Sequence, residues 1–378
     1  MLALGRALHQ RQGRPLHHRH GAAPGGELTT GRSRPVRLIS AVDVQEIAHE
    51  TLLVLADQLL RIQSHSLQAP LREALRSLRQ GTDVGALANA WADGEAAALL
   101  AELDALGWLT SEPIDASLDF AGETYERQLD YLGLFTPDTA AAQRRLLSAR
   151  VGILGLGGVG GLVAQHLVAA GVGTFHLVDD DTVAKHNLNR QFTYAPEDVG
   201  APKTEALARY LRRVRPEAEV TGYRRRITDE AGLDAVFGPG RRLDLLVLAA
   251  DVPSDLPATV ARWAAVTGTP FSMGAVGVGT GFWGPLVDPS RGGCWDCFER
   301  ARRAALTEVE REVESGATEP APFSFGPSNT TVAAMLAHDI IQYLCSGRCP
   351  TSGRRAALDF TQQHITHTEE STCTCQTT

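Results

Sequence analysis

The chain has 378 residues, 43% of them hydrophobic, enough to bury a sizeable core and to fill about two domains. A net charge of -8 argues against a general nucleic-acid binder, and no apolar run reaches the roughly 18 residues that would cross a bilayer. The start MLALGRALHQRQ lacks a secretory-type apolar segment, and six cysteines, two of them in a C-x-x-C, suit metal or free thiols better than a disulfide framework, so the chain reads as cytoplasmic.

Residues 1–36 are rich in Arg, His, Gly and Pro, with Glu27 the only acid, and read as a disordered tail in which His17, His18 and His20 have no role. Residues 37–112 read as a small α+β module. Val42 to Ala48, Leu52 to Ala56 and Gln58 to Ile62 are short, partly alternating segments, as in an antiparallel meander. Helical patterns follow at Leu67 to Arg79, at Asp83 to Trp91 with Asp83 as N-cap, and at Asp93 to Leu106, stopped by Gly107. Such a module can add an extended peptide to a strand edge, or it can be a winged-helix packing or dimerisation unit with no ligand. DNA binding is disfavoured, because Asp93, Glu95, Glu102 and Asp104 leave the third helix without a basic residue. Residues 113–149 join this module to the larger C-terminal part of the chain.

Val151 to Gly161, VGILGLGGVGG, is a strand that breaks into a glycine-dense turn and resumes as a helix. Gly155, Gly157, Gly158 and Gly160 let the backbone approach a ligand and turn its amides toward an anion. Dinucleotide-binding dehydrogenases share that pattern, and Asp179, at the end of a strand from Thr174 to Val178, suits a ribose hydroxyl in either case. The stretch from Asp179 to Lys203 separates the two. It holds D-D-D-T-V, then N-L-N-R-Q at Asn187 to Gln191, then Gly200-Ala-Pro-Lys203, a polar series that a triphosphate needs and a nicotinamide does not. A helix is expected over Thr204 to Arg213. A buried strand, Leu243 to Ala249, leads to Asp251, which can hold a hydrated magnesium or cap the helix near Ser254 to Thr267, where Asp255 competes for any metal role. Phe298 to Thr318 is a charged amphipathic stretch, either a cover over a substrate carboxylate or a solvated helix. A helix is expected over Thr330 to Leu344.

GLGGVG, VDDDTV, NLNRQ, GAPK and the AAD ending at Asp251 resemble the motifs of the ThiF/MoeB-like adenylating enzymes, relatives of the ubiquitin-activating enzymes. The resemblance runs from Tyr125 to the C-terminus and, within the family, toward the peptide-adenylating enzymes of microcin C type. It implies an α/β, Rossmann-like adenylation domain over residues 150–378 with a mainly parallel sheet. It implies ATP over Gly155, Gly157, Gly158 and Gly160, with Asp179, Asp181, Asn187 and Gln191 as further nucleotide-binding groups. Arg190 and Lys203 correspond to phosphate-contacting cations, and Asp251 to the residue that handles magnesium. Thr124 replaces the family's first arginine, so Arg127 alone carries over as the arginine that reaches the partner's ATP across a homodimer. The family's four zinc thiolates map onto Cys294 and Cys297 with Cys373 and Cys375, although the second pair here is C-x-C. Cys345 and Cys349 are the alternative second pair, with Cys345 on the apolar face of a helix. No cysteine lies from Phe298 to Leu344, where the ubiquitin-type relatives carry their thioester cysteine.

The module at 37–112 is similar in element order to PqqD-like, winged-helix-like leader-peptide recognition domains. Together the two resemblances imply ATP-dependent adenylation of the C-terminal carboxylate of a ribosomally made precursor peptide. The alternatives are a leader-presenting partner of an azoline-forming cyclodehydratase and an activator of a ubiquitin-like sulfur carrier. Neither a nucleic acid nor a membrane is an expected partner.

Overall fold

The computed structural model describes residues 3–6, 35–39, 41–47, 50–55, 58–63, 68–83, 95–112, 116, 119–238, 242–316, 324–369, 373 and 375. The chain divides into two compact units, Met1–Gln143 and Arg144–Thr378. Among the described residues no helix is long and apolar enough to cross a membrane.

In the first unit, β1 (Ala3–Arg6), β3 (Asp43–Ile47), β4 (Glu50–Leu55) and β5 (Gln58–Gln63) form an antiparallel sheet in the order β1-β5-β4-β3. The expected meander is there, and its alternation does the packing: Leu53 faces Leu60 and Thr51 faces Ile62 across β4 and β5, all four buried. Leu71, Leu75 and Leu78 of α1 (Gln68–Gln80), with Leu99 and Leu103 of α2 (Glu95–Ala105), close the same core around Trp108. Gly107, at φ 70°, follows α2 as expected. A second small sheet joins β2 (Pro35–Leu38) to β6 (Thr82–Asp83) and β7 (Leu109–Thr110). Asp83 sits in β6 opposite Pro35, and the rest of the helix expected from it lies outside the described residues.

Two parts of the sequence reading change. Ala3 to Arg6, inside the expected tail, pairs with β5, because strand addition uses main-chain groups and asks little of composition. The joining segment contains α3 (Glu126–Leu132) and α4 (Thr139–Ser148), and its helices are tied to the first module. Glu112 accepts the amides of Ala140 at 3.1 Å and Ala141 at 2.7 Å, capping α4, while Arg37 lies 3.7 Å from the same carboxylate. Thr110 donates to Asp138 at 2.7 Å. The division between the units falls inside α4, not at its ends.

The second unit is built on one eight-stranded sheet. Its parallel part consists of β8 (Arg150–Leu154), β9 (Thr174–Val178), β10 (Glu219–Tyr223), β11 (Leu245–Leu248) and β12 (Phe271–Val276), in the order β10-β9-β8-β11-β12. The antiparallel strands β13 (Thr280–Trp283), β14 (Ala356–Asp359) and β15 (His364–His367) extend it beyond β12. All four residues of β11 are buried, as the unbroken apolar run requires of a strand covered on both faces. Helix α5 (Gly158–Ala169) is apolar nearly all round because it lies between the sheet and the long helix near the C-terminus.

The remaining helices are α6 (Lys203–Val214), α7 (Glu230–Phe237), α8 (Leu256–Thr267), α9 (Trp295–Ala305), α10 (Glu308–Gly316) and α11 (Gly326–Ser346). The stretch expected as one amphipathic segment is two helices. Thr307 and Glu310 cap each other's backbone amides, which starts a new helix after Leu306. Helix α11 starts earlier than expected, with Pro327 in its first turn, and Gly347 at φ 77° stops it.

Candidate active site and metal centre

The strand order reverses between β8 and β11, and the loops after β8, β9 and β11 leave the same edge of the sheet, where open α/β sheets form their ligand crevice. Gly155 leaves β8 at φ 91°, and its amide donates to Val178 at 2.9 Å. A Cβ there would lie 2.6 Å from the Ala249 carbonyl, and one at Gly160 would collide with the Gly155 oxygen. Bare backbone is therefore required at both positions. Helix α5 starts at Gly158 with no side-chain cap from Gly157, so its first-turn amides and the positive end of a 12-residue helix are left for an anion.

Asp179 supports this loop. One of its oxygens accepts Leu156 N at 2.7 Å and the other Asp181 N at 2.8 Å, and each keeps lone pairs that suit a ribose hydroxyl. Sequence reasoning missed Tyr194, which is buried beneath the loop and donates to the Leu156 carbonyl at 2.8 Å. Burial, followed by the charges of Asp179, Asp198 and Asp181, pushes its hydroxyl well above the ordinary tyrosine range, so it stays a donor. Asn329 of α11 was missed too. It is buried, it donates to Ser324 at 2.8 Å and Phe325 O at 2.7 Å, and a Cβ on Gly158 would strike it. The only signal for Tyr194 was its place three residues after Gln191, and for Asn329 a polar residue at the head of an apolar helix.

Lys203 opens α6, is buried, and donates to Asp181 at 2.8 Å. A cation at a helix N-terminus works against the dipole, so its place there is explained by a ligand better than by the helix. Arg190 is held by its own loop, donating to His186 O at 2.7 Å and to Asn189 Oδ1 at 3.0 Å. Asn187 and Gln191 divide their labour. Asn187 Oδ1 accepts Ala184 N at 2.9 Å and shapes the turn, whereas Gln191 is buried near Gly157 and its Oε1 has no partner among the described residues. An orphaned buried acceptor is costly without a ligand donor. Asp180 pairs with Arg226 at 2.9 Å, so each acid of the Asp179 to Asp181 run already has protein partners.

Asp251 differs from these. No hydrogen bond or ion pair engages its carboxylate among the described residues, and although the residue is exposed, desolvation of the carboxyl raises its pKa. A partly desolvated carboxylate with no protein partner among the described residues is of the kind that could hold a magnesium ion. Helix α8 begins only at Leu256, so Asp251 does not cap it, and Asp255 occupies the cap position without a side-chain bond. Arg127 is exposed on α3 in the first unit.

The four cysteines come together. Cys294 and Cys375 are 3.9 Å apart, Cys297 and Cys373 3.8 Å, Cys297 and Cys375 3.3 Å, and all four sulfurs lie within 4.8 Å of one another. Zinc–thiolate bonds of about 2.3 Å in a tetrahedron put sulfurs roughly 3.8 Å apart, so the set fits zinc and the C-x-C spacing is no obstacle. Burial, then the neighbouring thiols, push Cys294 up to about 12, the behaviour of thiols that need a cation to ionise side by side. Cys349 contacts Thr351 and Ser352, and Cys345 is buried in α11, so neither joins the cluster.

Fold and site together define an open α/β domain that presents a helix N-terminus to an anion and closes with a four-thiol knuckle. The chain belongs to the ThiF family, whose model matches residues 125–377. It is 36% identical over 156 residues to the sulfur carrier protein ThiS adenylyltransferase of Escherichia coli, covering 41% of this chain and 60% of that one. It is 39% identical over 109 residues to the SAMP-activating enzyme E1 of Haloferax volcanii, covering 29% and 39%. The matches thus span between about two fifths and three fifths of these relatives' lengths. The crystal structure of E. coli MccB with ATP shares the fold, with a TM-score of 0.72 at 21% identity, over 90% of this chain and 98% of that one.

Proposed function

We propose that the protein uses ATP to adenylate the C-terminal carboxylate of a precursor peptide received by the first unit. The observation that carries this reading is the uncapped start of α5, supported by buried Lys203 at the head of α6, the orphaned Gln191 Oε1 near Gly157 and the unpaired Asp251 after β11, which offer a cation, an acceptor and a carboxylate on segments that follow β9 and β11. The nucleotide's phosphates would lie over Gly155 to Gly160 and its ribose against Asp179, and Asp251 would hold magnesium, which neutralises charge on the phosphates. The peptide carboxylate oxygen attacks the α-phosphorus, the bond to the β-phosphate oxygen breaks, and pyrophosphate leaves. Lys203 exchanges Asp181 for the phosphates, and Arg190, with Arg127 supplied by the partner of a homodimer, meets the developing charge. No general base is needed, since a carboxylate is ionised near neutral pH.

The acyl adenylate would not pass to a cysteine of this chain. Four of the six cysteines are in the cluster, and burial pushes Cys345 up to about 12 and Cys349 up to about 11, so neither suits a thioester. A peptide substrate is supported by the first unit's small antiparallel sheet, and by the fold shared with the microcin C7 biosynthetic enzyme MccB, solved with N-formylated MccA. Sequence identity to the ThiS adenylyltransferase favours a second reading, activation of a sulfur carrier. Pyrophosphate release from ATP with a short peptide encoded beside the gene, set against a carrier ending in Gly-Gly, decides between them. Release with the peptide, cut at least about a hundredfold in Lys203→Ala (~3 kcal/mol of transition-state stabilisation), is expected. Release with the carrier alone would favour the second reading, and release with neither would leave a leader-presenting role.

A further inference from the structure

The first unit contains a cavity that the chemistry above does not use. Its volume is about 240 Å³, below the roughly 300–1,000 Å³ of sites that hold cofactors or drug-sized ligands. It has room for one long side chain. Val36, Leu100, Leu109 and Pro137 give it apolar walls, and the exposed Asp104 and Asp138 supply two carboxylates.

Both carboxylates are placed against local rules. Asp104 is the next-to-last residue of α2, whose last turn has no basic residue, so the negative end of the helix dipole adds to its charge. Asp138 directly precedes α4 at the usual capping position, yet the amides of Ala140 and Ala141 are taken by Glu112 instead. Asp138 accepts one hydroxyl, from Thr110, and no other donor reaches its carboxylate among the described residues. No cation pairs with Asp104 or Asp138 among the described residues. Arg37, next to Val36 on β2, is committed to Glu112.

We propose that this cavity is an anchor site for an arginine side chain of an extended peptide. The alkyl stem packs on the apolar walls, and the guanidinium, with five donors in a planar fork, lies between the two carboxylates. The proposal rests on the reading that the first unit receives a peptide, and it adds the recognition feature: an arginine within the segment that unit holds.

The test needs neither nucleotide nor precursor, so its outcome is separate from that of the adenylation assay. Full-length protein carrying labelled Leu and Val methyl groups is titrated with N-acetyl-argininamide and, separately, with the uncharged citrulline analogue. Saturable shifts at Val36, Leu100 and Leu109 are expected with arginine. At least tenfold weaker binding is expected with citrulline, and with arginine in Asp104→Asn/Asp138→Asn. Asparagine keeps the volume and the acceptor for Thr110, and an unchanged melting temperature would confirm that the variant folds. Equal affinity for arginine and citrulline, or no shift at those three residues, would overturn the proposal whatever the variant does.

Discussion

The glycine loop and the cysteine cluster both belong to the second unit, and they are organised in opposite ways. The loop is held by backbone packing: Gly155 against Ala249 and Ala250, Gly160 against the Gly155 carbonyl, Tyr194 beneath Leu156. The amides of Gly155 and Leu156 are spent on holding its shape, and the first turn of α5 starts without a side-chain cap before any ligand arrives. The cluster joins thiols 76 to 81 positions apart in sequence, at separations that suit ligands around an ion. Preorganisation lies in the fold for one site and would come from a bound metal at the other. Damage to the loop should therefore cost chemistry, and damage to the cluster should cost stability.

Gly160→Ala tests the first half of that contrast and should have the largest effect. Its methyl group would strike the Gly155 carbonyl oxygen, a backbone atom fixed in turn by the Ala249 segment, so the cradle must open. Pyrophosphate release should fall by about a thousandfold or more, ~4 kcal/mol, with zinc content unchanged by atomic absorption. Activity within tenfold of the parent would mean that the loop yields easily and is less preorganised than its packing implies.

Cys297→Ser tests the second half. Cys297 is the buried member of the cluster, so its loss should release the metal and lower the melting temperature by roughly 5 °C or more, at about 2–4 °C per kcal/mol for a unit of this size. Turnover measured well below the transition should change little. An equal loss of turnover at low temperature would show that the knuckle positions the site as well as holding the fold.

The same contrast explains what could be read from the sequence. The loop was legible because its determinants are local: glycines after an apolar run, Asp179 at the next strand's end, and Lys203 at a helix start. Strands β8, β9 and β11 were legible for a similar reason, as mainly apolar runs that end at a glycine or an aspartate, whereas β10 (EVTGY) and β12 (FSMGAV) carry polar residues and glycine and gave no such signal. Contacts made across long sequence separations were not legible either. Glu112 caps a helix 28 residues away, and Asn329 abuts Gly158 from the far end of the domain. Nothing in either local sequence points to its partner. The partition of Asn187 into turn-shaping and Gln191 into an orphan acceptor was hidden too, because both are polar residues of one motif and only the bond to Ala184 separates them. The Thr307 cap, by contrast, is local, a T-x-x-E signature set inside a charged run that masks it.

The smallest effect on stability should come from Asp251→Asn, and it bears most directly on what preorganisation costs. Desolvation raises the Asp251 pKa above its unfolded value, so as pH climbs through the interval between the two the native state binds more protons than the unfolded state and is progressively destabilised; above the raised value the full penalty remains. Asparagine carries no such penalty. Without ligand, the variant should therefore melt slightly higher than the parent at neutral pH, by a small margin because the residue is exposed. The difference should disappear in acid, below the ordinary carboxylate range, where both side chains are neutral. Adenylation should still fall at least about a hundredfold, leaving a protein that is sturdier and idle. If the variant melts no higher at neutral pH, the carboxylate already has a compensating partner in the free protein. Asp251 would then belong with the Asp179 to Asp181 run, satisfied by the fold, and the magnesium assignment would lose its physical basis.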